Sequence, residues 1–404
     1  MQIFGSYYIE QGAKMNHVFS ISIALSTSAL TMGIFPVSAA NINSDNSNLD
    51  FSQMFIFGDS LSDTGNSFSQ TGGVFPGNPL SFEGRFSNRP IWIESLASSL
   101  NLNPTAFFTN FSVSPDGANY ATGGSLSGDQ NILDDFPLGL QQQLESFITP
   151  LLATDNSANS EALYTIWTGA NDYLLDPLFT LGFTPQPDAP PNTDTTINNI
   201  SNAIASLYNI GARNFLIPNL PSLGISPLAT LTNTSNILNE LTDEHNQKLE
   251  DAIAELNQSL VGAKIILLDV NSIVDEIFEN PSQFNVTNTT DSWSDTVLAF
   301  CPDAFLGADG SVESCDIDVP DSDEYLFWDI VHPTEVSNQI VADKALSALK
   351  SEFQTVPEPT STLSFVGIGA SLFAMSAFKQ KYSAVRRQQA TAHLATGEIK
   401  KGLV

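Results

Sequence analysis

The sequence is short of positive charge, cysteine and histidine. Its 404 residues carry 14 Lys+Arg against 44 Asp+Glu, a formal net charge of −30. A chain this acidic repels phosphate backbones, which excludes nucleic acid as a partner. Two cysteines cannot build a cysteine-rich zinc module or a disulfide-dense miniprotein. No G-x-x-x-x-G-K-[S/T], H-E-x-x-H or G-x-S-x-G run occurs, so P-loop ATPases, zincin proteases and ordinary α/β-hydrolases lose their support. What is present is a 42% hydrophobic composition, ample for a packed core. The length suits one large or two modest domains, and there is no internal repeat.

Both ends read as targeting segments. Residues 1–40 contain an apolar run over 21–35 and then Pro36-Val37-Ser38-Ala39-Ala40, an A-x-A-like cleavage site. That pattern predicts a signal peptide, with 41–52 as a polar linker. At the other end Val356-Pro357-Glu358-Pro359 precedes the apolar residues 363–378 and the bases Lys379, Lys381, Arg386 and Arg387. The order resembles the PEP-CTERM sorting signal over 355–388, which implies processing by an exosortase and a transient membrane tether. Seventeen residues follow Arg387, including the tail 389–404, which leaves a plain membrane anchor open. Either way the basic tail stays cytoplasmic while the body is exported to the cell surface or beyond. Cys301 and Cys315 lie fourteen apart in a Gly/Asp/Ser-rich segment, and in an oxidising compartment they read as one loop-closing disulfide.

Between these ends, residues 53–354 alternate strand and helix signals. Apolar runs at 54–57, 163–167, 215–217 and 264–270 read as strands. Residues 199–209 and 237–260 have helical apolar spacing, and a last helix runs from about 333 to 353. Alternation of this kind predicts an α/β fold with a parallel sheet covered on both faces. Residues 185–196 and 280–324 read as long irregular insertions.

Histidine elimination narrows the chemistry. His17 and His393 fall in the terminal segments, leaving His245 and His332 in the body. His245 sits in the long helix, four residues from Leu241 and Leu249, on the edge of the apolar face, where a structural or partly exposed role is expected. His332 lies in Asp329-Ile330-Val331-His332-Pro333, with Pro333 suited to the first turn of the last helix. Asp329, three residues earlier, can orient the imidazole and stabilise its protonated form. The strand at 54–57 runs into Gly58-Asp59-Ser60-Leu61-Ser62-Asp63-Thr64-Gly65-Asn66, putting Ser60 at the carboxyl edge of the sheet, where an attacking serine must be exposed on a tight turn. Two further loops, Asn119-Tyr120-Ala121-Thr122-Gly123-Gly124-Ser125 and Gly169-Ala170-Asn171-Asp172, could supply donors to an oxyanion.

Taken together, and in this order, these four blocks resemble those of the GDSL, or SGNH-hydrolase, esterases and lipases, and the resemblance extends over about 51–353. It implies a three-layer α/β/α sandwich with a flavodoxin-like parallel sheet. It also implies Ser60 as nucleophile, His332 as general base and Asp329 as its orienting acid. Ser60, Gly124 and Asn171 would form the oxyanion hole, with Gly123 an alternative to Gly124; Asp59 and Asp172 would brace their loops. No cofactor and no metal is implied. The expected activity is a secreted serine esterase or lipase working through an acyl-enzyme on a lipid or acylated carbohydrate. A polysaccharide O-deacetylase and a non-catalytic surface binding protein are the alternatives. The acidic run at 316–324 lacks EF-hand spacing and reads as a solvated loop. Phe284, Trp293, Phe300 and Phe305 give the 280–324 insertion apolar groups, either for an acyl chain or for packing onto the body.

Overall fold

Two neighbouring five-residue strands buried along their whole length, Met54–Gly58 and Leu163–Trp167, make the centre of the protein. The computed structural model describes residues 49–353 except 134–137, 185–186, 188–189, 308–310 and 316–318. Its main sheet has six strands: β1 (Met54–Gly58), β2 (Thr105–Ala106), β3 (Gly117–Asn119), β4 (Leu163–Trp167), β5 (Asn214–Pro218) and β6 (Lys264–Leu268). They pair in parallel in the order β2-β3-β1-β4-β5-β6. Apart from the extra edge strand β2, that is the flavodoxin-like order.

Alternate residues of each strand point into two different cores, as a pleated strand requires. Met54 and Ile56 of β1 and Leu163 and Trp167 of β4 face one core. Phe55, Phe57, Tyr164 and Ile166 face the other. Of the helices in chain order, α1 (Asn66–Gln70), α2 (Trp92–Ser99), α3 (Phe107–Asn110) and α4 (Leu140–Ala153) precede β4. Then come α5 (Ala170–Thr180), α6 (Thr193–Asn209), α7 (Pro227–Thr232), α8 (Ser235–Ser259), α9 (Val270–Glu279), α10 (Trp293–Phe300) and α11 (Glu335–Phe353). The first core is covered by α2, α9 and α11 through Trp92, Leu96, Ile277 and Leu349. The second is covered by α4, α6 and α8 through Leu144, Phe147, Ile204 and Ile253. Three layers result, as expected.

The onward connection of β1 runs over the first face through α2, whereas that of β4 runs over the second through α6. Neighbouring strands whose connections part in this way leave a crevice beyond their carboxyl ends, where open α/β sheets place their sites. Ser60 and Asn171 follow those two strands.

Several sequence expectations shift. The helix expected at 199–209 begins at Thr193, because Asn192 caps it by accepting Thr195 N–H, and its polar first turn hides the apolar period. The strand expected at 264–270 stops at Leu268; Asp269 caps α9 and Val270 is already helical. Pro333 is not in the last helix, which starts at Glu335; it forms an isolated bridge with Phe327 instead. The insertion at 280–324 is not wholly irregular, containing α10, the strands β7 (Asn288–Ser292), β8 (Phe305–Leu306) and β9 (Val312–Glu313), and two turns of 3-10 helix. β7 pairs with β10 (Tyr325–Phe327). Of the expected linker 41–52, Phe51 is already core, packing edge-on against Phe353 with ring centroids 5.0 Å apart.

The expected signal peptide 1–40, most of the linker, the sorting segment 355–388 and the tail 389–404 lie outside the described residues, as do Asp316, Ile317 and Asp318 of the acidic run. Among the described residues no helix is long and apolar enough to cross a membrane, and no group of His, Cys, Asp or Glu could hold a metal ion.

Candidate active site

β1 and β4 approach so closely at their ends that only glycine fits at position 58. A Cβ there would stand 2.1 Å from the Trp167 carbonyl oxygen. The chain then turns, with Asp59 N–H donating to Trp167 O and Ser62 N–H to Asp59 O, and presents Ser60 at the crevice. His332 reaches it from the loop between β10 and α11. Its Nε2 is 2.8 Å from Ser60 Oγ, and its Nδ1 is 2.7 Å from Asp329 Oδ2. The other carboxylate oxygen of Asp329 accepts the backbone N–H groups of Val331 and His332 at 2.8 and 2.7 Å. A carboxylate held this way accepts a hydrogen bond from Nδ1–H, leaving Nε2 as the acceptor for the serine hydroxyl. The structure thus brings together all three residues that the sequence singled out, across 272 positions of chain.

Phe86 stands between His332 and the glycine loop. Its ring centroid is 5.0 Å from that of His332, and a Cβ at Gly123 would meet its Cζ at 2.3 Å. Trp328, fully buried one residue before Asp329, donates its indole N–H to Leu80 O.

The groups expected to act as oxyanion donors follow three adjacent strands, β3, β1 and β4. Gly123 N–H is occupied, donating to Asp63 Oδ2 at 2.9 Å and Ser67 Oγ at 2.7 Å. Gly124, at φ +77°, donates its N–H to no other described residue. Asn171, in the first turn of α5, gives one amide hydrogen to Ser125 O at 3.0 Å and keeps the second for another acceptor. Asp172 accepts Ser127 N–H and Oγ–H, and burial of its carboxyl pushes it above the usual range. Burial does the same to Asp63, against the pull of the N–H groups of Gly65, Ser67 and Gly123. Asp59 stands apart. Its Oδ1 accepts Leu61 N–H, its Oδ2 has no partner among the described residues, and burial pushes its carboxyl up to about 7.

His245, by contrast, packs edge-on against Tyr173. It is buried, bonded through Nδ1 to the Tyr173 hydroxyl at 2.8 Å, and burial pushes it down to about 3, so it stays neutral. Its Cε1 would sit 2.8 Å from a Cβ at Gly169. Rather than lying on the edge of an apolar face, it packs beneath the turn that starts α5.

The profile of the GDSL-like lipase/acylhydrolases matches residues 54–345. This chain belongs to that family. The family is one of ester-bond hydrolases, and so is this protein. It is similar to a phosphatidylcholine-sterol acyltransferase of Aeromonas hydrophila, 27% identical over 344 residues that cover 78% of this chain and 95% of the relative. A GDSL esterase/lipase of Arabidopsis thaliana is 26% identical over 320 residues, covering 71% of this chain and 87% of the relative. Among solved structures, a lipolytic protein of the G-D-S-L family from Veillonella parvula aligns with a TM-score of 0.37 at 15% identity, covering 73% of this chain and 96% of the other.

Sequence reading of this GDSL chain missed the side-chain amides that hold the loops. Asn66 donates to Asn119 O and Ala121 O and accepts Phe108 N–H; Asn119 donates to Ser62 O; Asn131 donates to Gly123 O. Gln143, on α4, bonds to both the nucleophile strand and the glycine loop. One signal could have found it: Gln143 occupies the apolar spacing Leu140, Leu144, Phe147, where a surface glutamine does not belong. Cys301 and Cys315 are joined in a disulfide with Cα atoms 5.8 Å apart. Trp293 is buried, with its indole N–H on Pro320 O, which assigns it to packing. Phe284 packs against the first core, whereas Phe300 and Phe305 are exposed.

Proposed function

We propose that the protein is an exported serine esterase that cleaves carboxylic esters of lipids through an acyl-enzyme. The observation that supports this most is the Asp329–His332–Ser60 relay, with both links at 2.7–2.8 Å. Ser60 Oγ bonds to the ester carbonyl carbon while its proton passes to His332 Nε2. The carbonyl oxygen, now negative, accepts hydrogen bonds from Ser60 N–H, Gly124 N–H and the free amide hydrogen of Asn171. Collapse breaks the bond to the alkoxy oxygen, which leaves as alcohol with the proton from His332. Water, deprotonated by His332, then releases the acid and restores Ser60.

A lipid ester is favoured over an acylated carbohydrate because the similar acyltransferase is named for phosphatidylcholine and sterol. The oxidised Cys301–Cys315 pair supports export, as do the segments at 1–40 and 355–388. The latter would serve as a tether until an exosortase-type enzyme removes it.

The test is the purified exported protein assayed on p-nitrophenyl esters of graded length, phosphatidylcholine vesicles with and without sterol, and acetylated xylan. A fluorophosphonate should label Ser60, and phosphatidylcholine should be turned over. Folded protein without label at Ser60 would be a binding protein, and turnover of acetylated xylan alone would make it a polysaccharide deacetylase.

A further inference from the structure

A fully buried glutamine between two catalytic loops needs an explanation, because burying an amide costs free energy unless all its polar atoms are paired. Gln143 projects from α4 to the end of β1. Its Oε1 accepts Gly58 N–H at 2.9 Å and its Nε2 donates to Gly58 O at 2.8 Å, so the side chain pairs with one residue as a neighbouring strand would. The same Nε2 reaches Thr122 Oγ1 at 3.1 Å and Ser125 Oγ at 3.0 Å. Both hydroxyl hydrogens are given elsewhere, to Leu138 O and Leu126 O, so both oxygens face the glutamine as acceptors. That pattern fixes which end of the amide is nitrogen.

The three residues that Gln143 holds lead to the three oxyanion donors. Gly58 lies two positions before Ser60. Thr122 and Ser125 flank Gly123-Gly124. Ser125 O, in turn, accepts the amide hydrogen that fixes Asn171. One side chain therefore ties the ends of β1 and β3 and, through Ser125, the first turn of α5.

We infer that Gln143 is a positioning residue for the oxyanion hole, setting the spacing of Ser60 N–H, Gly124 N–H and the Asn171 amide. This rests on the esterase reading above. The donors must stand where the oxygen of the tetrahedral intermediate will be, so a shift of some tenths of an ångström weakens the transition state more than the bound substrate. Loss of Gln143 should therefore appear in kcat and not in KM.

Gln143→Glu keeps the length and the Oε1 acceptor but replaces the donor with an acceptor facing Gly58 O and two hydroxyls. Gln143→Met keeps the volume and removes every bond. For both variants, well below their unfolding midpoints, kcat on p-nitrophenyl acetate should fall roughly 10- to 100-fold with KM within about twofold. Fluorophosphonate labelling of Ser60 should slow in step. In the Asn171→Ala background the further loss should shrink to a few-fold, since the two residues act on one hole. Ser125→Ala, which removes one hydroxyl and leaves the backbone, serves if neither Gln143 variant folds; it should lower kcat less, in the same direction and with KM again unchanged. Folded Gln143 variants, or Ser125→Ala in their place, with wild-type kcat would overturn the inference. So would losses in Gln143 and Asn171 that simply multiply. Failure of the esterase reading looks different: the wild-type protein itself would show neither turnover nor label.

Discussion

The loops at the ends of β1, β3 and β4 and the 280–324 insertion border the same crevice but are held by different forces. The loops are held by buried amides and carboxylates. Asp63 alone accepts four backbone N–H groups, from Gly65, Asn66, Ser67 and Gly123. The insertion adds to its β7–β10 pairing an apolar cluster of Trp293, Val297, Cys301 and Ala304 against Leu80, Phe86 and Trp328, and one disulfide. Hydrogen bonds are directional and fix donors to within a few tenths of an ångström, which oxyanion stabilisation needs. Apolar burial is non-directional and tolerates changes of shape, which suits a wall against which acyl chains of different length could lie. Under the proposed mechanism, directional bonds lie where charge would develop and apolar packing where hydrocarbon would bind.

The sharpest break in this contrast is at the nucleophile. Ser60→Ala should lower turnover by about 10⁴-fold or more, since its hydroxyl is the proposed attacking atom. Among the described residues its one side-chain partner is His332 Nε2, so the urea midpoint should barely move. A residual activity within tenfold of wild type would mean another nucleophile. Asn171→Ala should reduce kcat by about 10²–10³-fold, the usual effect of removing one oxyanion donor. Wild-type kcat in that variant would remove Asn171 from the hole.

Asp59 tests the polar region in another way, through stability. Its carboxyl ordinarily titrates near 3.8 and is pushed up to about 7 by burial. A group raised on folding gives its full stability below the unfolded value and loses it as pH rises through the folded one. The wild-type protein should therefore lose on the order of 3–4 kcal/mol from this site between about pH 4 and pH 7. Asp59→Asn should be free of that loss, so the gap between the variants should widen with pH. Urea unfolding at pH 4.5 and 7.5 checks it, and parallel stability profiles would mean Asp59 carries no such burden.

The same contrast decides what the sequence could reveal. Ser60, Asp329 and His332 were legible because each stands in a short block with a chemical reason for its neighbours, and four blocks in order leave little freedom. Strands β1, β4, β5 and β6 were legible as buried apolar runs. The short strands β2 and β3 were not, since two or three residues carry no period. Between Gly123 and Gly124 the proposal favours the second because Asp63 already occupies Gly123 N–H, a contact over 60 positions that no local pattern encodes. The amides were hidden for the same reason: an Asn or Gln in a loop or helix looks solvated until its distant partners are known. In the insertion, the aromatics were visible but their directions were not, and Trp293 turned inward while Phe300 and Phe305 turned out.

The disulfide is the next largest lever, and it acts on the insertion. Closing a loop between positions fourteen apart contributes about 3 kcal/mol in the chain-entropy picture. Cys301→Ser with Cys315→Ser should lower stability by up to that amount while acetate-ester turnover stays within about twofold, because no oxyanion donor sits on the insertion. A collapse of kcat matching that of Asn171→Ala would show that the two regions are coupled after all.

The smallest effect is the one that tests the adaptable wall directly. Phe300 is 71% exposed and Phe305 42%, on an insertion whose buried cluster reaches Phe86 beside His332. Side chains this exposed contribute little to the packing of the insertion, so Phe300→Ser and Phe305→Ser should each change stability by less than about 0.5 kcal/mol. Neither touches the relay, so p-nitrophenyl acetate should be hydrolysed as before. A long acyl chain that lies against either ring would lose about 1 kcal/mol of apolar contact, raising KM roughly fivefold for dodecanoate esters while leaving acetate esters alone. Unchanged KM for dodecanoate in both variants would take the insertion out of substrate binding and leave it a brace for Trp328 and the loop that carries Asp329 and His332.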